Sequence, residues 1–484
     1  MADIQMSDFK TGDAGHKHEP GLPKAGLGRS EEIKVDSKGN VLHPTPSDNP
    51  RDPLNWPLWK KHSCLAVVAL RYYFLFTFLT TVTVPSFADL QTKLNISYEQ
   101  VNYTVAVPAL GLALGHLFFS PWASVYGRRI VFILSCIVAL VASIGSAVST
   151  SYSGYMAARF FQGFGVSPAA TVGLMIISDL YFEHERGQKV GIWCLAIDIG
   201  LVIGPLPGGF ISAVSVDWPA WLTAILFGAN LVLMIFLLPE TLFERHVTGD
   251  PEKGTKAAFF NHRRLVSGKK VVPWSGLLDV WTMFRHFDVA VAVCYYCWTF
   301  YWWILTVITM VPAAYEQYSA SVQGLLFLGL VIGTLFSEAF LSGSLSDWLV
   351  ARLAARNGGR RTPEQRLWLV YPAALLTFVG ITIFGWAIEK NYHWIVSQIG
   401  LALFSAGIQQ SNTMISSYML DCHPELTQES VTFYTVNLNL AAFVSPFFAA
   451  VWVDKDGFGW SFTARKCTCP SRNSDKHTNK LKKD

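Results

Sequence analysis

Apolar residues in this chain gather into long windows separated by short polar breaks. A helix that crosses a bilayer needs about 20 mostly apolar residues. Windows of that kind run over 62–88, 101–124, 130–149, 155–180, 189–214 and 218–238. A polar stretch follows from Pro239 to His286, and five further windows cover 287–312, 322–345, 367–388, 393–420 and 431–453. The pattern predicts an all-α membrane protein. It divides into a disordered tail over 1–61, a six-helix bundle over 62–238, a central loop over 239–286, a five-helix bundle over 287–453, and an outer loop with a polar basic tail over 454–484.

Composition agrees with the windows. Of the 484 residues, 51% are hydrophobic and only 15% are charged, whereas a soluble domain is about a quarter charged. Mean hydropathy is +0.32. The net charge of +4 is too small to point to nucleic acid. The polar start has no apolar core of the kind a cleavable signal peptide needs. The eight cysteines are scattered, and Cys294 and Cys297, in "CYYCW", read as packing residues among aromatics rather than as a redox or metal pair. No nucleophile–base spacing, metal-ligand spacing or ATP motif stands out, so neither an enzyme nor a cofactor is expected.

Charge placement orients the bundle. With the N-terminus in the cytosol, the inner flanks and loops hold Lys60, Lys61, Arg128, Arg129, Arg186 and Lys189, a basic run from Arg245 to Arg285, and Arg352, Arg356, Arg360, Arg361 and Arg366. The outer loops hold only Lys93, Lys390 and Lys455. Basic residues collect on the cytosolic side of membrane proteins. Two glycosylation sequons, at Asn95 and Asn102, fall in or beside the first outer loop, which agrees with this orientation, Asn102 lying close to the membrane.

The stretch "DIGLVIGPLPGGFI", Asp198 to Ile211, looks at first like a phosphate-binding loop. Such a loop needs a preceding strand and a following Lys-Ser/Thr, and neither is present. Gly200, Gly204 and Gly208 instead recur every four residues and line one helix face. Small residues at that spacing let two helix backbones approach closely in lipid, while Pro205 and Pro207 remove backbone donors and bend the helix. The set Gly200, Gly204, Pro205, Gly208 and Gly209 resembles the antiporter motif of the major facilitator superfamily. "ARFFQGFG", with Arg159, Gln162 and Gly163, is similar to that family's fourth-helix motif. "VYGRR", with Gly127, Arg128 and Arg129, resembles the end of its second-to-third loop motif. "LLPETLFER" and "DNPRDPLNWPLWKK" resemble segments of fungal members, and the closest branch is the drug:proton antiporters. The resemblance spans residues 48 to 460 and implies two pseudo-repeat bundles, a monomer, and proton-coupled export of a small organic molecule across a fungal cell membrane.

The chain departs from the family pattern in two places. In the second-to-third loop, Ser124 stands at the family's Asp position and Val125 at the following basic one, while the equivalent loop of the second half, "GSLSD", keeps Gly343 and Asp347. After "DGFGWSFT" the family would enter a twelfth helix, but the chain turns polar and basic, as a misread splice junction would leave it, and a disordered tail is expected there.

Charges at bilayer depth are costly and usually face a cavity or a partner. Arg71, ten residues past Lys61, is either a structural cation or an anchor for an anionic group. Arg159 sits where the resemblance implies proton coupling. Asp198 and Glu338 each either titrate during transport or neutralise an arginine. Asp179 reads as a boundary residue, and His116 as a hydrogen-bonded packing histidine. The aromatic run "YYCWTFYWW", with Trp298, Tyr301 and Trp302, either packs or lines an amphipathic substrate cavity. Gln409, Gln410 and Asn412, with Asn437 and Asn439, either bond between helices or orient a ligand. The rival expectations are a symporter anchored at Arg71 and a non-transporting paralogue.

Overall fold

The computed structural model describes residues 45–47, 49–50, 52–71, 77–182, 195, 199–243, 280–356, 363–423 and 426–463. Side chains at some helical positions, Asp347 among them, fall outside that description. All regular structure among the described residues is helical.

The chain enters its first helix through a segment tied around a buried carboxylate. Asp52 accepts hydrogen bonds from Ser47 N (3.0 Å), Ser47 Oγ (2.9 Å) and Leu54 N (3.1 Å). Lys61 then folds back to donate to Leu54 O at 2.9 Å. The expected disordered tail to residue 61 is corrected accordingly, because the helix begins at Leu58 and the segment before it is structured.

Eleven segments follow, in the order the windows predict. The first comprises Leu58–Leu70 and, past residues outside the description, the short turns Phe78–Thr81 and Val84–Ser86. The second is Tyr98–Tyr126, opened by a Ser97–Gln100 capping box, and the third is Arg128–Val148. The fourth comprises Tyr152–Val166 and Pro168–Leu180, the fifth Ile199–Ser212, and the sixth Trp218–Leu237. The seventh is Phe287–Ala314, with a π turn at Cys297–Tyr301. The eighth runs from Ala320 through a π segment, Ser337–Ser344, to Arg356. The ninth is Val370–Glu389, the tenth Trp394–Cys422, and the eleventh Thr427–Thr463.

Eight of these stretches are long and apolar enough to cross a bilayer. The described part of the first is interrupted and that of the fifth is short. The tenth has ample length, 29 residues, but carries the polar run Gln409–Thr413. Two boundaries differ from the sequence expectation. The eighth helix runs past residue 345 to Arg356, so Asp347 lies on a helix and not in a loop. The expected outer loop from 454 is helical to Gly457, where φ is 76° and the chain turns back. Glu389 accepts from Phe458 N at 3.1 Å across that turn, and the buried Phe462 packs on Trp303 and Phe384. Residues 464–484, 183–194 and Asp198 lie outside the described residues.

Glycines set the close helix pairs inside each half. A Cβ on Gly163 of the fourth helix would lie 2.1 Å from Pro108 O of the second. In the other half, one on Gly333 of the eighth would lie 2.1 Å from Ala402 O of the tenth. These pairs correspond under an offset of six helices, as two repeats require. Between the halves, the second helix packs along the eleventh and the fifth against the eighth. The same offset turns one of those contacts into the other. The chain therefore has two pseudo-repeat bundles joined by a duplicated interface.

Candidate functional site

The break in the first helix leaves carbonyl groups without a helical donor, because Pro85 and the turns around it interrupt the ladder. Arg159, on the fourth helix and buried, supplies the donors. Its guanidinium gives hydrogen bonds to Leu79 O (2.6 Å), Thr80 O (3.2 Å), Thr104 O (3.1 Å) and Gln162 Oε1 (3.2 Å). Gln162 in turn donates to Ser143 and Ser146 of the third helix, at 2.9 and 3.2 Å. One guanidinium thus ties the first, second and fourth helices together through neutral oxygens.

Arg71 is also buried but points elsewhere. It donates to Phe132 O, to Ser135 Oγ at 2.7 Å and to Gly165 O at 3.0 Å, and it lies over the Phe132 ring at 4.6 Å. These partners belong to the third and fourth helices, inside the first bundle. Arg71 and Arg159 are not brought together, and their bonds to described partners go to backbone, hydroxyl, amide and thioether acceptors.

The glycine motif on the fifth helix faces two ways. A Cβ on Gly204 would meet Thr81 Oγ1 at 2.2 Å, and one on Gly208 would meet Val82 O at 2.0 Å. Both approach the broken part of the first helix, where Thr81 Oγ1 also donates to Leu201 O at 2.9 Å. Gly209 faces the other bundle, 2.4 Å by the same measure from Ala320 O of the eighth helix. Pro205 presents its carbonyl to Gly324. Gly200 is buried with its neighbours.

The loop motif forms a network at the basic end of the first bundle. Gly127 takes φ 110°, a conformation glycine adopts readily. Glu240, just past the sixth helix, accepts from Arg128 N at 3.0 Å and Arg129 N at 3.2 Å and so caps the third helix. Arg128 pairs with Asp179 at the end of the fourth helix, and Arg129 donates to Ile235 O at 2.7 Å. Asp179, expected only to mark a boundary, is an ion-pair partner.

Where the family pattern has an acid, Ser124 donates to Gln428 of the eleventh helix at 3.0 Å, and Ser120 lies 3.1 Å from Thr432. These uncharged bonds join the two halves at the basic end. At the opposite end, Tyr98 donates to Thr309 O of the seventh helix at 2.9 Å, and Tyr103 stacks on Phe447 at 4.6 Å.

In the second bundle, Glu338 is half-buried on the π segment of the eighth helix. It accepts from Gln409 Nε2 at 2.9 Å and Thr413 Oγ1 at 3.1 Å on the tenth. Asn412 accepts from the Tyr434 hydroxyl, and Tyr434 stacks on Tyr296, which also faces Tyr301. Tyr301, Asn412 and Gln409 are buried with this group, Trp302 stacks on Phe448, and Trp298 is 42% exposed. Asn437 donates to Phe433 O of its own helix, and Cys294 Sγ lies 3.9 Å from its Oδ1. Tyr296 belongs to the aromatic run singled out in the sequence, whereas Tyr434 escaped that reading, because an isolated tyrosine in an apolar window carries no pattern. His116 is buried with Nδ1 on Leu112 O.

The two sequons separate. Asn95 is exposed in a left-handed conformation, φ 53°, beyond a short helix. Asn102 is fully buried inside the second helix. The folded structure leaves no room for a glycan at Asn102, since its side-chain amide is fully buried.

A family profile described as the Major Facilitator Superfamily matches residues 72–446. The chain belongs to that superfamily. It is therefore a multi-pass membrane transporter rather than an enzyme. It is 28% identical over 394 residues to the probable efflux pump mfs2 of Aspergillus flavus, covering 78% of this chain and 91% of that one. It is 26% identical over 469 residues to the MFS transporter cpaT of Aspergillus oryzae, covering 92% of each. The proton:xylose symporter XylE shares the fold, with a TM-score of 0.60 at 16% identity over 84% of this transporter and 93% of that one. This transporter therefore carries the glycine motif as a packing surface and makes an uncharged contact to the second half at Ser124.

Proposed function

We propose that this transporter exports a small organic molecule, such as a drug, toxin, secondary metabolite or polyamine, across a fungal cell membrane in exchange for protons. The observation that carries the reading is the fifth-helix motif, with Gly204 and Gly208 against the first helix and Gly209 against the eighth. The same helix packs tightly within its own bundle and against the other, so a change at either contact is felt at the second. Alternating access is then a rocking of one bundle against the other. The efflux names of the Aspergillus flavus relative and of a Floropilus chiversii relative support the direction. Basic residues at the end bearing Arg128 and Arg129 support a cytosolic N-terminus. Glu338, Asp198 and Arg159 are candidates for coupling, and the protein acts as a monomer. Tyr296, Tyr301, Tyr434 and Asn412 form a buried aromatic and amide cluster that takes the substrate once the bundles rock apart.

An importing symporter anchored at Arg71 is the weaker reading, because Arg71 is committed to oxygens of its own bundle. Expression in a yeast stripped of its own pumps tests the proposal. Whole-cell accumulation of a panel of amphipathic compounds is measured against external pH. An exporter lowers accumulation of its substrate and does so more strongly as the proton gradient steepens. Raised accumulation would identify the symporter, and no change for any compound in cells or liposomes would identify a non-transporting protein.

A further inference from the structure

Among the residues whose side chains are described, Glu338 is the carboxylate that stands apart from the helix ends. Asp52, Asp89, Glu99, Asp179, Asp217, Glu240, Asp288, Glu316, Glu364, Glu389, Asp421, Glu429, Asp454 and Asp456 all lie at or near helix ends. Glu338 instead meets the tenth helix at Gln409, fifteen residues from Trp394 and thirteen from Cys422, about 20 Å from either end. Its donors are uncharged. The tenth helix packs against this turn, and from Trp394 to Leu420 its single titratable side chain is Tyr418, beyond Thr413. On the eighth helix itself, the nearest ionisable residue in sequence is Asp347, nine positions on.

A second observation concerns the partner. Gln409 is fully buried, and while its Nε2 donates to Glu338, its Oε1 has no hydrogen-bond partner. A buried acceptor left unmade is unfavourable by about 1–3 kcal/mol. Turning the amide by half a rotation would bring Oε1 to the carboxyl, where it can accept only if Glu338 carries a proton. The hydroxyl of Thr413 is both donor and acceptor and serves either state.

We propose that Glu338 is the site at which this transporter binds and releases its coupling proton, with the Gln409 amide turning as the proton comes and goes. This rests on the proton-coupled reading above. One proton adds to a carboxylate oxygen to give a neutral carboxyl, and the same proton leaves to restore the carboxylate. Glu338 lies fourteen residues, about 21 Å, along the helix from Gly324, which touches the antiporter motif. The proton thus acts on the helix through which the second bundle meets the fifth helix.

The test is infrared difference spectroscopy of the purified transporter in lipid nanodiscs as the medium moves from about pH 8 to about pH 3. The wild type should gain the carbonyl-stretch band of a protonated buried carboxyl, and Glu338→Gln should lose that band. Gln409→Leu should keep the band but move it to higher frequency, because the carboxyl loses its acceptor. Glu338→Asp, expected to keep a shifted band, covers a Glu338→Gln variant that fails to fold. The same band in Glu338→Gln, or its absence from the wild type, would overturn the proposal. Proteoliposomes given an imposed pH gradient and loaded with ethidium are a separate readout. Wild-type ethidium movement that ignores the gradient counts against the proton-coupled reading, whatever the spectra show of Glu338.

Discussion

Gly209 and Gly324 meet across the two bundles with no room for a side chain on either. A Cβ on Gly209 would lie 3.1 Å from Gly324 Cα, and one on Gly324 would lie 3.3 Å from Gly209 Cα. The glycine motif of the fifth helix is therefore an interface between halves as well as a packing face within one.

The glycines on the other face of that helix differ in what they touch, and this ranks their substitutions. Gly208→Ala drives a methyl group into Val82 O, a backbone atom, whereas Gly204→Ala meets the Thr81 hydroxyl, which can rotate away from Leu201 O. Gly208→Ala should lower stability by about 1–3 kcal/mol and Gly204→Ala by less. Thermal unfolding of both variants in detergent checks the order, and a reversed order would show that the first and fifth helices are not held this closely.

Arg159→Lys should fail almost as badly as Arg159→Ala. A single ammonium cannot reach Leu79 O, Thr80 O and Thr104 O in the planar arrangement a guanidinium provides. Transport should fall by about tenfold or more in both variants while surface expression of Arg159→Lys stays near normal. Full activity in Arg159→Lys would show that charge alone suffices.

Glu240→Gln weakens the cap on the third helix, where a carboxylate faces two backbone donors at a helix N-terminus. A loss of about 1 kcal/mol is expected, visible as a lower melting temperature with transport retained. An unchanged melting temperature would mean that the amide caps as well as the acid.

Asn95→Gln should abolish the mobility change seen on endoglycosidase treatment, and Asn102→Gln should leave it as it is. A glycan surviving in Asn95→Gln would place Asn102 outside the helix bundle.

Hydropathy alone located the eight long apolar helices, because each is a separate apolar run and needs no knowledge of its neighbours. It did not find the break before Pro85, nor that the eighth helix continues to Arg356, since neither alters the apolar count of a window. The buried charges were legible as residues but not as partnerships. Arg71 and Arg159 bind carbonyls and hydroxyls from segments far away in sequence, and a backbone carbonyl has no letter in the sequence. Glu338 and Gln409 were each visible, while their pairing depends on which faces of the eighth and tenth helices meet. The second sequon shows the converse error, a local pattern read without knowledge of burial.

The bonds of Ser124 to Gln428 and of Ser120 to Thr432 are uncharged. Water can replace such bonds at a net change of about 1 kcal/mol each, and no ion is stranded when they part. Ionic strength, which weakens exposed ion pairs, has little purchase on these bonds. They therefore contribute little to any preference between the two orientations of the bundles. That preference is left to what the transporter holds, and a ligand favouring one orientation by about 1.4 kcal/mol already shifts the population tenfold.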